Sequence, residues 1–262
     1  MHRPLREALR GDGLVLCLAL LNARTPDVPA IAAAAGYDAV YVDLEHTSTS
    51  LETTAMLCAS ALGAGISALV RVPSHDPSTI ARILDNGAVG VIVPHVNSVA
   101  EAEAVVDSSR FPPLGHRSIS GPNAVSGYHA RTATELTALL DGRTVVAVMV
   151  ETPQAVAAVD DIAAVDGIDM ILLGPSDLTA EMGIHGEYEN AHFHDAVESV
   201  AAACRKHGVA LGVAGIKSLD LLERFVDIGL RFISAGTDVG MMTEAATNRA
   251  RALRGLESRT DR

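Results

Sequence analysis

Tryptophan is absent from the 262 residues, and Phe and Tyr are so few that aromatics reach only 3%. A core made from this chain must therefore use Ala, Val, Leu and Ile. With 48% hydrophobic residues it has material for a large one, and that palette suits parallel strands covered by helices. Cysteine is also scarce. Cys17, Cys58 and Cys204 are odd in number, widely spaced and without a CxxC pair, which argues against a disulfide framework or a zinc knuckle and for free buried thiols in a reducing cytosol. Basic runs are missing and the net charge is −12. Nucleic-acid binding needs a basic face that this chain does not offer. No apolar run approaches the ~20 residues a helix needs to cross a bilayer. The opening MHRPLREALRGDG lacks the apolar centre of a secretory signal. The expectation is a cytoplasmic protein with a small-molecule partner, no nucleic acid and no membrane.

What is present is alternation. Short apolar runs at 13–19, 38–43, 67–72, 89–94, 144–150, 169–173, 209–213 and 231–235 read as eight strands. Ala-rich stretches of helical spacing lie between them, at 27–35, 51–62, 77–86, 99–108, 132–140, 154–164, 192–207 and 218–228, with a last helix near 243–255. Gly stands where several of these helices should stop, as at Gly36, Gly65 and Gly208. No Pro, Gly or Ser linker divides the chain. Strand-then-helix units imply parallel strands, and eight of them predict one (β/α)8 TIM barrel over residues 1–262. A doubly wound open sheet is the alternative, but Leu20-Leu21-Asn22-Ala23 after the first strand is no Gly-rich phosphate turn.

Barrels of this kind place chemistry just past the C-terminal ends of their strands. Strand two ends in Asp43-Leu44-Glu45-His46, strand three in Arg71, strand four in Pro94-His95 and strand five in Glu151-Thr152. Strand six is followed by Gly174-Pro175-Ser176-Asp177 and strand eight by Gly236-Thr237-Asp238. Glu151 and Asp177 follow neighbouring strands and would repel unless a cation lay between them. Oxygen ligands favour Mg2+ or Mn2+, with Co2+ as a further candidate. The alternative is that each carboxylate merely caps the helix after it. Arg71 at a strand end is placed to meet an oxyanion or carboxylate, or to form a structural salt bridge with Asp43 or Glu45. Asp43 and His46, three apart, read as a carboxylate orienting a general base, or as a turn cap beside a surface His. His95 follows strand four into the same region, whereas His192-x-His194 has poor zinc spacing. Asp85 sits at a helix C-terminus, where an anion is disfavoured, and its compensating partner is expected across a subunit interface. The long stretch 111–128 has Gly and Pro but little periodicity and is expected to cover the barrel mouth.

Several blocks, in order over nearly the whole chain, carry a resemblance: YDAVYVDLEH at 37–46, LVRVPSHDPSTIARILDNGAVGVIVPHV at 69–96, SSRFPPLGHRS at 108–118, VMVET at 148–152 and VDGIDMILLGPSDLTAEMG at 165–183. The chain resembles the HpcH/HpaI family of metal-dependent class II pyruvate aldolases. The resemblance implies a divalent metal on Glu151 and Asp177, and a 2-oxo acid bound there with help from Gly174, Met149 and the backbone amides of Ser176 and Asp177. It also implies an enolate stabilised by Arg71, proton handling by Asp43 and His46, and a catalytic part for Asp85. The partners are then a 2-oxo acid and an aldehyde in a homo-oligomer, trimer or hexamer, whose last helix is exchanged between subunits. Two departures stand out: Met149 where many members have Gln, and Ser118 where many have Gly after Arg117. Both bear on the second substrate. The function expected is an aldehyde-lyase that forms or cleaves a bond next to pyruvate. The alternatives are a citrate-forming condensation of oxaloacetate with acetyl-CoA, oxaloacetate decarboxylation, or a barrel that binds 2-oxo acids without turnover.

Overall fold

A computed structural model of the chain describes residues 4–256, so residues 1–3 and 257–262 of the expected domain lie outside the described residues. In chain order the elements are α1 (Leu5–Leu9), β1 (Val15–Leu20), α2 (Asp27–Ala34), β2 (Ala39–Asp43), α3 (Leu51–Gly63), β3 (Ser67–Arg71), α4 (Pro77–Asp85), β4 (Gly90–Val93), α5 (Val99–Ser109) and α6 (Ala133–Arg143). They continue with β5 (Val145–Val150), α7 (Pro153–Ala157), α8 (Val159–Ala163), β6 (Met170–Leu173), α9 (Pro175–Glu181), α10 (Ala191–His207), β7 (Ala210–Ala214), α11 (Leu219–Asp227), β8 (Leu230–Thr237) and α12 (Asp238–Arg254). The eight strands pair in sequence order, all parallel, and β8 closes on β1. The expected TIM barrel is the fold. The helix expected at 154–164 is two short ones broken at Ala158, and α1 and α9 are additions.

The strands read as unbroken apolar runs because both of their faces are buried, yet the period of two persists beneath. In β5, Val145, Ala147 and Met149 fill the barrel interior while Val146, Val148 and Val150 pack outward against helices. Tyr41, Leu69 and Leu172 share the inward set. Extended by one step of the same period, this set aims Asp43, Arg71 and Glu151 into the mouth. Interior space is tight: a Cβ at Gly90 would lie 2.4 Å from the Val145 carbonyl oxygen, so only glycine fits there.

At the opposite end α1 plugs the barrel. Its Leu5 and Leu9 join the interior cluster, each worth about 1.5–3 kcal/mol on burial. Its Arg6 donates to Asp169 Oδ1 at 2.7 Å, and Arg110 donates to Asp169 Oδ2 at 2.5 Å and to the carbonyls of Asp141, Thr144 and Gly167. The stretch 111–128 also lies at this floor and not over the mouth. Arg117 pairs with Asp85, Asn123 reaches the Leu84 carbonyl, and Arg143 reaches the Val125 carbonyl. The reason is topological: the stretch runs from the C-terminal end of α5 into α6, which leads into the start of β5, so it lies at the strands' N-terminal end.

The last helix, α12, contains no buried residue, and Met242 on it is 66% exposed. The outward-facing Leu16 of β1 is left 40% exposed and Leu219 of α11 78% exposed. No described helix is long and apolar enough to cross a membrane.

Candidate active site

A cleft of about 710 Å3 opens at the C-terminal ends of the strands, lined by Tyr41, His46, Arg71, Met149, Glu151, Gly174, Ser176, Asp177, Lys217 and Glu244 among others. Six of the residues expected to act together, His46, Arg71, Met149, Glu151, Ser176 and Asp177, line this one space, and Gly174 forms its wall. A Cβ at Gly174 would lie 2.5 Å from Glu151 Oε1, so the glycine makes room for the carboxylate.

Asp43 is fully buried. Its carboxylate accepts from Arg71 Nε at 3.0 Å and Nη2 at 2.7 Å, a two-point charge-assisted pairing of the strong kind. It also accepts from the backbone N–H of Glu45 at 3.0 Å and of His46 at 3.4 Å. The expectation that Asp43 orients the His46 ring is therefore corrected. A buried carboxylate with a guanidinium in reach takes that partner, so Asp43 holds the His46 backbone instead. The His46 ring is 60% exposed, with Nε2 3.7 Å from Glu45 Oε2. Arg71 satisfies both of its readings: it is salt-bridged to Asp43 and Glu45, and it faces the cleft. Burial alone would lower its pKa, but the Asp43 hydrogen bonds and the surrounding negative charge carry it above the ordinary value.

Two residues that strand-end reading undervalued complete the mouth. Glu45 is largely buried, and its Oε2 has no hydrogen-bond partner, the Arg71 Nη1 at 3.1 Å being a charge contact without hydrogen-bond geometry. The His95 ring spans Glu45 Oε1 at 3.1 Å and Glu151 Oε2 at 3.3 Å, and its backbone N–H donates to Glu151 Oε2 at 3.0 Å. His95 pays for this with φ +55°, in the left-handed region non-glycine residues seldom occupy. Inward parity in the turn after β2 is the signal that could have found Glu45. Asp85 stays outside the cleft. Its partner is Arg117 of the same chain, at 2.9 Å, rather than a residue across an interface. The two meet because the loop after α5 folds back along the end of α4.

The mouth thus collects Asp43, Glu45, Glu151 and Asp177 around one arginine. The pKa of Glu151 is raised by burial first, and further by the charges of Asp177 and Glu45. A buried carboxylate beside another, with an unbonded acid oxygen nearby, fits a hard cation. Among the described residues no three His, Cys, Asp or Glu side chains form a ready cage. A cation here would rest on Glu151 and Asp177, with coordination positions left for water or substrate. The N–H groups of Ser176 and Asp177 precede the first hydrogen bond of α9, Leu178 N–H to the Gly174 carbonyl at 3.0 Å, and so stand free to bind an anion.

A closed parallel barrel with its polar groups gathered at the strand C-termini defines the class: a barrel enzyme working on a small molecule at its mouth. Comparison with known proteins then gives the family. The chain belongs to the HpcH/HpaI aldolase/citrate lyase family, whose sequence profile matches residues 17–245. It is 35% identical over 236 residues to a 4-hydroxy-4-methyl-2-oxoglutarate aldolase of Hapsidospora irregularis, covering 88% of this chain and 87% of that one. It is 39% identical over 219 residues to a 4-hydroxy-2-oxovalerate aldolase of Novosphingobium aromaticivorans, covering 81% and 80%. The solved structure of the citrate synthase SbnG superposes with a TM-score of 0.86 at 27% identity, covering 99% of both chains.

Proposed function

We propose that the chain is a carbon–carbon lyase, an aldehyde-lyase that cleaves or forms the bond between C3 of a pyruvate-like 2-oxo acid and the carbonyl carbon of an aldehyde or ketone. The observation that carries this reading is the pair of neighbouring carboxylates, Glu151 and Asp177, in a mouth where acids outnumber bases. Divalent Mg2+ or Mn2+ held by these two supplies Lewis acidity. The free N–H groups of Ser176 and Asp177 bind the substrate carboxylate, and Gly174 and Met149 shape the floor beneath it. In cleavage the 4-hydroxyl gives its proton to His46, the C3–C4 bond breaks, and its electron pair passes into the enolate of the 2-oxo acid. Arg71, fixed at two points by Asp43, faces the enolate oxygen and stabilises it. The proton held by His46 is then delivered to C3, which releases pyruvate and restores His46. Asp43 acts by holding Arg71 and the turn of His46.

The relatives' named compounds all carry a 2-oxo acid, and differ beyond C4 in a second carboxylate (oxoglutarate) or a methyl (oxovalerate). Likeness to SbnG favours one rival, condensation of oxaloacetate with acetyl-CoA to citrate. Exposed apolar residues on α12 and on the outer face of β1 support an oligomer in which α12 packs on a neighbouring copy. In such an assembly Asp85 could meet a neighbouring mouth. Three buried, unpaired cysteines suit a reducing cytoplasm. The test is exchange of pyruvate methyl protons in D2O, followed by NMR with and without EDTA. Metal-dependent exchange is expected. Its absence, together with citrate formation from oxaloacetate and acetyl-CoA, would favour the rival.

A further inference from the structure

The strained residue at the mouth is held from behind. His95 has φ +55°, and a residue with a side chain stays in that region only where its neighbours fix it. Here the peptide group between Pro94 and His95 is fixed on both of its edges. On one edge the His95 N–H donates to Glu151 Oε2 at 3.0 Å. On the opposite edge the Pro94 carbonyl accepts from His75 Nε2 at 2.7 Å. A carbonyl oxygen only accepts, so the Nε2 of His75 carries a proton. Further along, the His95 carbonyl accepts from Asn97 Nδ2 at 2.9 Å, and Asn97 Oδ1 accepts from Thr152 Oγ1 at 2.5 Å, next to Glu151. The base of His75 is firm. Asp76 after it caps α4 by accepting from the Thr79 N–H at 2.8 Å, and Val72 before it donates its N–H to the Ile92 carbonyl at 3.0 Å.

Among the described residues the Glu151 carboxylate receives one hydrogen bond, and it is this one from the His95 N–H. If the Pro94–His95 peptide turned over, that N–H would leave Glu151 and His95 would return to an ordinary φ. The bond from His75 opposes the turn. Pro94 is buried, and its carbonyl has no other partner among the described residues. Without His75 the turnover relieves an orphaned carbonyl and a strained φ together. His75 is half-buried and does not line the cleft, so it acts on Glu151 only through the peptide between them. We infer that His75 is a positioning residue, which locks the Pro94–His95 peptide in the orientation that fixes Glu151 for a cation. The inference rests on the metal reading of Glu151 and Asp177 above and adds the group that sets the geometry of one ligand. Groups that orient the ligands of a metal tune its affinity from outside the coordination sphere.

The experiment titrates metal-free protein with Mn2+ in a calorimeter, for wild type, H75M, H75L and H75Q. Met and Leu remove the donor with two different shapes. Gln has the shape of Met and returns an amide N–H near the place of Nε2. Affinity is read per folded chain from the fitted stoichiometry, so partial unfolding of one variant does not imitate the effect. The expected result is Mn2+ affinity roughly tenfold weaker in H75M and H75L, the lower end of the range for losing such support, and close to wild type in H75Q. Donorless variants that bind as tightly as wild type overturn the positioning role. So does H75Q binding as weakly as H75M, because the donor would then not matter. Wild type that takes up no Mn2+ removes the metal reading itself, and this assignment with it.

Discussion

The two ends of the barrel treat charge differently. At the floor Asp169 receives Arg6 at 2.7 Å and Arg110 at 2.5 Å, and Arg110 also reaches three backbone carbonyls. Acid and base are paired in charge within one chain, although the Nε atoms of Arg110 and Arg117 have no hydrogen-bond partner. At the mouth Asp43, Glu45, Glu151 and Asp177 crowd one arginine, an acid oxygen of Glu45 lacks a hydrogen bond, and Glu151 is harder to ionise than an ordinary glutamate. Both ends are built by the same strands with the same period of two. The difference lies in the balance of charge: acids and arginines pair at the floor, as a structural role requires, whereas acids outnumber bases at the strand C-termini, as the proposed cation site requires.

Substitutions at the two ends should separate these roles. Arg110→Ala takes from the buried Asp169 carboxylate one of its two guanidinium partners, Arg6 remaining, and a donor from three backbone carbonyls, and should cost about 3 kcal/mol in denaturant unfolding, with the turnover of folded enzyme unaltered. If activity per folded molecule falls with stability, the two ends are not independent. Glu151→Gln should do the reverse. It should cut aldol turnover roughly 10²–10³-fold, while the metal-free protein unfolds no more easily, because a repelled buried charge has gone. Arg71→Ala should slow pyruvate proton exchange by about 10²-fold. Exchange as fast as wild type would remove the enolate role. The smallest effect is expected at Asp76, which caps α4. Hydrogen bonds from Ser78 and Thr79 push its pKa down to about 2. A depressed folded value means the cap stabilises fully above the ordinary carboxylate pKa and is lost as pH falls towards 2. Asp76→Asn should flatten that part of the acid-unfolding profile and leave neutral-pH activity alone.

Much of the barrel was legible because each strand is a short apolar run set off by glycine and polar turns, and because strand-then-helix order permits few topologies. Glu151, Arg71, Ser176 and Asp177 were legible for a related reason: strand ends in such a fold face one mouth. Partner choice was not. Asp43 is three residues from His46 and 28 from Arg71, yet it pairs with the arginine, because burial rewards a two-point ionic contact over a nearby neutral ring. Asp85 finds Arg117, 32 residues on, through a loop whose path no local pattern reveals. Its lack of periodicity suggests a cover for the mouth, yet its place between α5 and α6, ahead of β5, confines it to the floor. Glu45 and His95 were undervalued because their arrangement depends on a left-handed residue after β4.

The contrast between matched floor and unmatched mouth meets its most direct test in a calorimetric titration of metal-free protein with Mn2+, run on wild type, Glu151→Gln and Asp177→Asn. One Mn2+ per chain in wild type, with binding lost or greatly weakened in both variants, is the predicted result. Equal binding in all three, or none in wild type, would contradict it.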